Sequence, residues 1–310
     1  MSDGEASAEA LALLDTRQLR VLHETRYVYG APVELAHHMA HLRPRNTPWQ
    51  TVHDWRLLIH PEPEGAVQGI QESEDTWGNW RAVFSHARVH AQLVVSASFR
   101  VVVQPIKPWV ADKSPAWEAV AERLRYHAKA RLDEAAEFVL PSAYAPVHAE
   151  LAAFAAPIFT PGRPLLDAAD ALMRHIHSDF AYRPQATSVS TKALEALRRR
   201  EGVCQDFAHV MIGALRSLGL AARYVSGYLL THPPEGQERL IGADASHAWV
   251  AVWCPVQGWI AFDPTNAVTP GLDHVTVAWG RDYTDVAPLR GVIRGGGRPV
   301  PQVAVTVEPV

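Results

Sequence analysis

Between residues 204 and 263 the chain changes period abruptly, and this change limits the folds open to it. Apolar or small residues stand at 204, 207, 208, 211, 212, 215 and 218. That is the spacing of one helix face, and Gly219 marks its stop. Ala221–Leu230, Leu240–Gly242, Ser246–Cys254 and Trp259–Asp263 then read as strands, with a polar loop through Pro233-Pro234-Glu235-Gly236. A helix followed by an antiparallel β-run is an α+β arrangement. Gly202 precedes the first helical turn, so Cys204 stands at the N-terminal end of the helix. Free backbone N–H groups and the helix dipole favour negative charge there, and the thiolate is the nucleophilic form of cysteine. Most cysteines in globular proteins are small buried hydrophobes, so Cys204 alone assigns no chemistry.

The remainder of the chain divides by pattern. Residues 1–17 read as a tail with at most a short helix around Ala8–Leu14. From Gln18 to residue 107 the pattern is that of strands. Leu19, Val21, His23, Thr25 and Tyr27 alternate with their neighbours, a turn is expected at Gly30-Ala31-Pro32, and Val33–Leu42, Val52–His60, Ala66–Glu74, Arg81–Ser85 and His86–Val103 follow. Asp75–Trp80, with Gly78-Asn79, has hairpin-turn chemistry. These strands predict an all-β, sandwich-like domain or a curled sheet. Pro105 and Pro108 mark its end. Residues 108–160 are a helical connecting segment, with helices expected over 114–135 and His148–Phe154. Residues 161–270 form the core, in which Leu165–Phe180 and Thr191–Arg200 are helical. Residues 271–310 are C-terminal strands and an extension.

Composition excludes several classes. The 29 basic and 33 acidic residues leave a net charge of −4, with no surface for nucleic acid and no polybasic membrane patch. No apolar run spans a bilayer. Met1–Thr16 lacks the features of a secretory signal, and two cysteines make no disulfide framework. A cytoplasmic protein with reduced thiols is expected. Of His37, His38 and His41, only 37 and 41 share a strand face, too far apart to chelate one ion. They read as solvated or locally bonded, and no metal or other cofactor is expected. A calcium-loop pattern is likewise lacking.

Thiol-dependent acyl transfer requires a thiolate, an imidazole that moves its proton, and an acceptor that orients the imidazole. His247 lies in Ser246-His247-Ala248-Trp249-Val250, and Asp263 ends Trp259-Ile260-Ala261-Phe262-Asp263-Pro264-Thr265-Asn266. Each is a polar residue at the mouth of an apolar strand. Together with Gly202-Val203-Cys204-Gln205-Asp206-Phe207-Ala208-His209, these segments resemble the three signature motifs of the transglutaminase-like superfamily. Tyr224-Val225-Ser226-Gly227-Tyr228 is similar to the family's strand after the nucleophile helix. Leu42-Arg43-Pro44-Arg45 and Asp75-x-x-Gly78-Asn79 resemble the N-terminal domain of its bacterial branch.

The resemblance implies a papain-like core fold, with Cys204 as nucleophile, His247 as base and Asp263 as orienter. Ala251 stands where many relatives carry Glu. Asp206 and His209 are expected to support the helix start and its packing. The oxyanion would be held by the Cys204 backbone N–H and by a side-chain donor, for which Tyr182 and Gln205 are candidates. By strand parity Trp249 and Trp253 share the His247 face and could wall the substrate site. The expected activity is cleavage of amide or peptide bonds through a thioester, with hydrolysis favoured. A protein-glutamine amine transferase with a small amine acceptor and a non-catalytic binding module are the alternatives. The partner is a peptide or protein substrate.

Strand parity adds two geometric expectations. Cys254, seven residues beyond His247 on one strand, faces away from it and is a core thiol. For Asp263 to reach His247 the two strands must pair with an even sum of residue numbers, 508, 510 or 512. A two-residue turn at Val256-Gln257 gives 513 and is excluded, so an odd-length loop or a bulge is required.

Overall fold

In a computed structural model, the described residues are 16–64, 69–128, 133–184, 186–231, 246–297 and 299–310. Two antiparallel sheets, with a layer of helices, build the molecule. The first sheet contains β1 (Arg17–Ala40), β2 (Gln50–His60), β3 (Gln71–Glu74), β4 (Trp80–His86) and β5 (His90–Val103) in the order β2-β5-β1-β4-β3. It is therefore one curled sheet. The turn expected at Gly30-Ala31-Pro32 does not form. The chain runs straight through as one 24-residue strand, because Gly30 N–H donates to the Gly296 carbonyl and Gly296 N–H to that of Pro32. The pairing of β1 with β5 shifts register between Val28 and Val33.

The helical layer comprises α1 (Trp117–Leu124), α2 (Ala149–Ala155), α3 (Leu165–Asp179), α4 (Ala193–Arg199) and α5 (Cys204–Ser217). The helix expected over 114–135 is shorter: α1 stops at Leu124, and 3-10 turns occupy Ala111–Lys113 and Glu134–Val139. Two-residue strands β6 (Ala181–Tyr182) and β7 (Glu201–Gly202) pair in parallel just before α5. Behind α5 stands the core sheet of β8 (Ala222–Leu229), β9 (Ser246–Cys254), β10 (Gly258–Phe262) and β11 (His274–Gly280), in the order β10-β9-β8-β11. A short helix, α6 (Tyr283–Val286), leads to β12 (Leu289–Gly295) and β13 (Gln302–Pro309), which both return to pair with β1. The strand expected at Leu240–Gly242 and the helix around Ala8–Leu14 lie outside the described residues. No described helix is long and apolar enough to cross a membrane.

Helix α5 is buried on nearly all sides. One continuous hydrophobic cluster joins it to α2, α3, α4 and the core sheet, and extends to Leu19, Val21, Phe99 and Val101 of the first sheet. The two parts of the molecule thus share a core. The motifs at 42–45 and 75–79 fasten them together. Asp75 accepts from the Asn79 N–H and amide, and Asn79 in turn bonds both the N–H and C=O of Trp279, at 2.9 and 2.8 Å. Gln50 does the same for Thr276, at 2.8 Å in each direction. Edge strand β11, which would otherwise present unpaired backbone groups, is closed by these two side-chain amides.

Of the three histidines at 37, 38 and 41, the first is exposed and locally bonded, as expected, and the other two are not solvated. His37 Nδ1 bonds Ser85 Oγ at 2.8 Å, whereas His38 and His41 are buried. Burial, followed by the neighbouring histidines, lowers the His38 pKa to about 4.

Candidate active site

The start of α5 is set by two residues. Asp206, in its first turn, accepts from the Val203 N–H at 2.9 Å and from the Thr187 hydroxyl at 2.6 Å. This satisfies one of the free N–H groups of the helix end. Gly202 lets this carboxylate approach: a Cβ there would sit 2.5 Å from Asp206 Oδ2. The expected support from His209 also holds. Its ring is fully buried, stacks on Tyr144 with centroids 5.2 Å apart, and accepts from the Tyr283 N–H at 3.2 Å.

Strands β9 and β10 pair Cys254 with Gly258 and Phe262 with Val250, a sum of 512. The loop is three residues, Pro255-Val256-Gln257, and Gly258 follows at φ 77°, a left-handed conformation that glycine adopts without strain. The register therefore places Asp263 diagonally from His247, as parity requires. His247 Nε2 donates to Asp263 Oδ2 at 2.7 Å. The same imidazole hydrogen-bonds the Cys204 side chain, and with Nε2 committed, Nδ1 is the nitrogen facing sulfur.

Asp263 is fully buried and heavily bonded. Besides His247, its Oδ2 accepts from Asn266 Nδ2 at 2.7 Å and His274 Nε2 at 3.2 Å. Its Oδ1 accepts from the N–H groups of Thr265 and Asn266, at 2.9 and 3.3 Å. Burial alone would favour the neutral acid, but the bonds from His247 and His274 hold its pKa well below the ordinary range. For His247, burial opposes the cation, and the bonds and charges of Asp263 and Cys204 outweigh it. Its pKa rises to about 10.

His274 and Asn266 were not singled out by sequence. The first belongs to β11, whose place beside β8 no local pattern reveals; the second follows the Asp263 motif by three residues and could have been read as an Asx-type bonding partner. His247, Asp263 and His274 bring ligand-type atoms within 4.8 Å of one another, a grouping hidden by their spacing in sequence. Asp263 Oδ2 already accepts from both imidazoles, so the group is satisfied as a hydrogen-bonded cluster.

A cavity of about 350 Å³ opens over Cys204 and His247. Tyr182, Gln205, Tyr224 and Tyr283 line it, together with His23, Thr25 and Tyr27 of the first sheet and Val303 of β13. The first sheet thus forms a wall of the site. Gln205 is less available than expected, since its Nε2 donates to the Val189 carbonyl at 3.1 Å. Tyr182, half exposed, is close enough to Cys204 to feel its charge, and so is the buried Tyr224. Trp249 and Trp253 do not wall this cavity. They lie further along β9 than His247, on the sheet face away from α5, where Trp249 packs with Val225 and Ala251. Cys254 faces the α5 side and is fully buried.

Residues 152–264 match the sequence family described as the Transglutaminase-like superfamily, and residues 19–102 the Bacterial transglutaminase-like N-terminal region. An uncharacterized protein of Mycobacterium tuberculosis is 40% identical over 294 residues, 93% of this chain and 91% of its own. A protein-glutamine gamma-glutamyltransferase of Pseudomonas aeruginosa is 36% identical over 126 residues, 38% of this chain and 19% of that protein. In fold, a candidate cysteine protease from Cytophaga hutchinsonii superposes with a TM-score of 0.72 at 21% identity, over 95% of this chain and 91% of that one. A cysteine at the head of a buried helix, an antiparallel sheet behind it and both matched regions lead to one assignment: the chain belongs to the transglutaminase-like superfamily and carries the bacterial N-terminal region joined to its core.

Proposed function

We propose that the protein is a cysteine-dependent enzyme that cleaves amide or peptide bonds through a thioester, with water as the acyl acceptor. The observation that supports this reading is the imidazole of His247, bonded to Cys204 on one side and to the buried carboxylate of Asp263 on the other. In this proposal the Cys204 thiolate attacks the amide carbonyl carbon while His247 is an imidazolium. The tetrahedral intermediate collapses to a thioester as His247 gives its proton to the departing nitrogen. His247 then takes a proton from water, which attacks the thioester and releases the acid and the free thiol. The Cys204 backbone N–H and a hydroxyl from Tyr182 or Tyr224 would receive the oxyanion.

Hydrolysis is favoured over transfer because neither Trp249 nor Trp253 lines the cavity. Among the described residues, no tryptophan wall is therefore available to hold an amine beside the thiol and keep water off the thioester. The transferase reading draws on the name of the Pseudomonas aeruginosa relative. Ammonia release from a glutaminyl peptide, with and without a primary amine, separates the two. Hydrolysis unaffected by amine supports the proposal, and efficient amine incorporation without hydrolysis overturns it. Cys204→Ala should lose several orders of magnitude in kcat, whereas Cys254→Ser should keep most activity. Turnover surviving the first change and lost in the second would remove Cys204 from the role.

A further inference from the structure

The face of the core sheet turned away from α5 holds an unusual cation. Arg223 of β8 is only 8% exposed. Its guanidinium carbon lies 4.3 Å from the ring centroid of Trp259 and 3.8 Å from that of Trp279. Arg45 stands 3.5 Å from the Trp279 ring as well. The buried Nε of Arg223 has no hydrogen-bond partner, and no carboxylate among the described residues pairs with its guanidinium. Arg216, equally buried, shows how this fold otherwise treats a guanidinium. It donates to the carbonyls of Phe138, Ala222 and Arg281 and to Ser142 Oγ, at 2.7 to 2.9 Å. A buried charge without a partner is costly, and stacking between indoles offsets only part of that cost.

A cavity of about 750 Å³ opens onto this cation, within the size range of small-molecule sites. Trp77, Trp253, Trp259, Trp279 and Phe138 supply flat apolar walls, and Arg123 stands at the rim. The acidic residues around the mouth are mostly engaged. Asp133 pairs with Arg123 at 3.4 Å and caps the following 3-10 turn, while Glu137 accepts from the Trp77 indole at 2.9 Å. Their charge nonetheless disfavours a dianion such as a phosphate monoester. The cavity shares no lining residue with the one over Cys204.

We propose that this cavity binds an organic monoanion, a carboxylate carried on a flat apolar body, with the carboxylate against Arg223 and the body against the tryptophans. Charge complementarity supplies the anion that Arg223 lacks, and the indole walls supply stacking area. Two sources share this chemistry: a free aromatic acid, and the C-terminal aromatic residue of a peptide.

Isothermal titration of the full chain tests the proposal with three probes: benzoate, N-acetylphenylalanine and N-acetylphenylalaninamide. Saturable binding of at least one acid is expected, weakened about tenfold or more in Arg223→Met, with the neutral amide failing to bind. A preference for benzoate identifies the free acid as the source, and a preference for N-acetylphenylalanine the peptide terminus. Equal affinity for acid and amide, full affinity in Arg223→Met, or no saturation by either acid up to about 10 mM overturns it. Removing an unpaired buried charge should leave the variant folded, and the acid-against-amide comparison on the unsubstituted protein stands without it.

Discussion

Asp263→Asn keeps the size of the side chain and removes the charge on which the site converges. In the native protein one carboxylate oxygen takes His247, Asn266 and His274, and the other takes two backbone N–H groups. An asparagine that keeps the backbone bonds turns its NH2 toward three donors. Removing the charged partner of a buried pair costs on the order of 3–5 kcal/mol. If that cost falls on the reaction, it amounts to roughly 10²–10⁴ in rate. It also removes the partner that raises the His247 pKa. The assay is kcat/KM for ammonia release from a glutaminyl peptide between about pH 5 and 10. The native profile should be bell-shaped, and the variant should lose 10²–10⁴-fold and have its basic limb moved to lower pH.

The same substitution has a signature in folding. The raised pKa of His247 contributes stability that is complete below its unfolded value of 6.5 and is lost as pH rises through about 10. The depressed pKa of Asp263 contributes stability above its unfolded value of 3.8, lost as pH falls. Native Tm should therefore decline from pH 6.5 to 10, and this slope should flatten in Asp263→Asn. Native activity with an unchanged pH profile in the variant would refute the role given to the carboxylate.

Gly202→Ala places a methyl group against the Asp206 carboxylate; it should cost about 1–3 kcal/mol and lower kcat through a displaced helix start, and an unchanged Tm contradicts this. His274→Phe keeps a ring but removes one donor to Asp263, so kcat should fall roughly tenfold or more with KM unchanged; equal kcat would make His274 a packing residue only. Asn79→Leu leaves the Trp279 N–H and C=O without their bonds, at about 1–3 kcal/mol per group; thermal unfolding measures the loss, and an unaltered Tm shows that the clamp contributes nothing.

The residues of the proposed triad were legible because each sits where a local rule exposes it. Cys204 opens a helix whose apolar period is unbroken for four turns, and His247 and Asp263 interrupt apolar strands at their mouths. Parity alone excluded a two-residue turn, since side chains alternate with a period of two and only an even sum returns Asp263 to the His247 face. Parity also assigned Cys254 to the far side. Parity is not sufficient for Trp249 and Trp253. They share the parity of His247, but only His247, second in its strand, reaches the cavity over Cys204, while the tryptophans further along stay on the face away from α5.

Other features depend on contacts between separate elements, which no local period encodes. Gly30-Ala31-Pro32 has turn composition, yet hydrogen bonds to Gly296 hold it extended. His274 meets Asp263 only because β11 returns to pair with β8, and His23 and Tyr27 wall the site only because the first sheet shares the core of α5. Arg223 looked like an ordinary strand residue until Trp259 and Trp279 closed around it. Periodicity and end effects act within one element and are written in its sequence. Which edges pair, and which charge is left without a partner, is decided by packing the elements together.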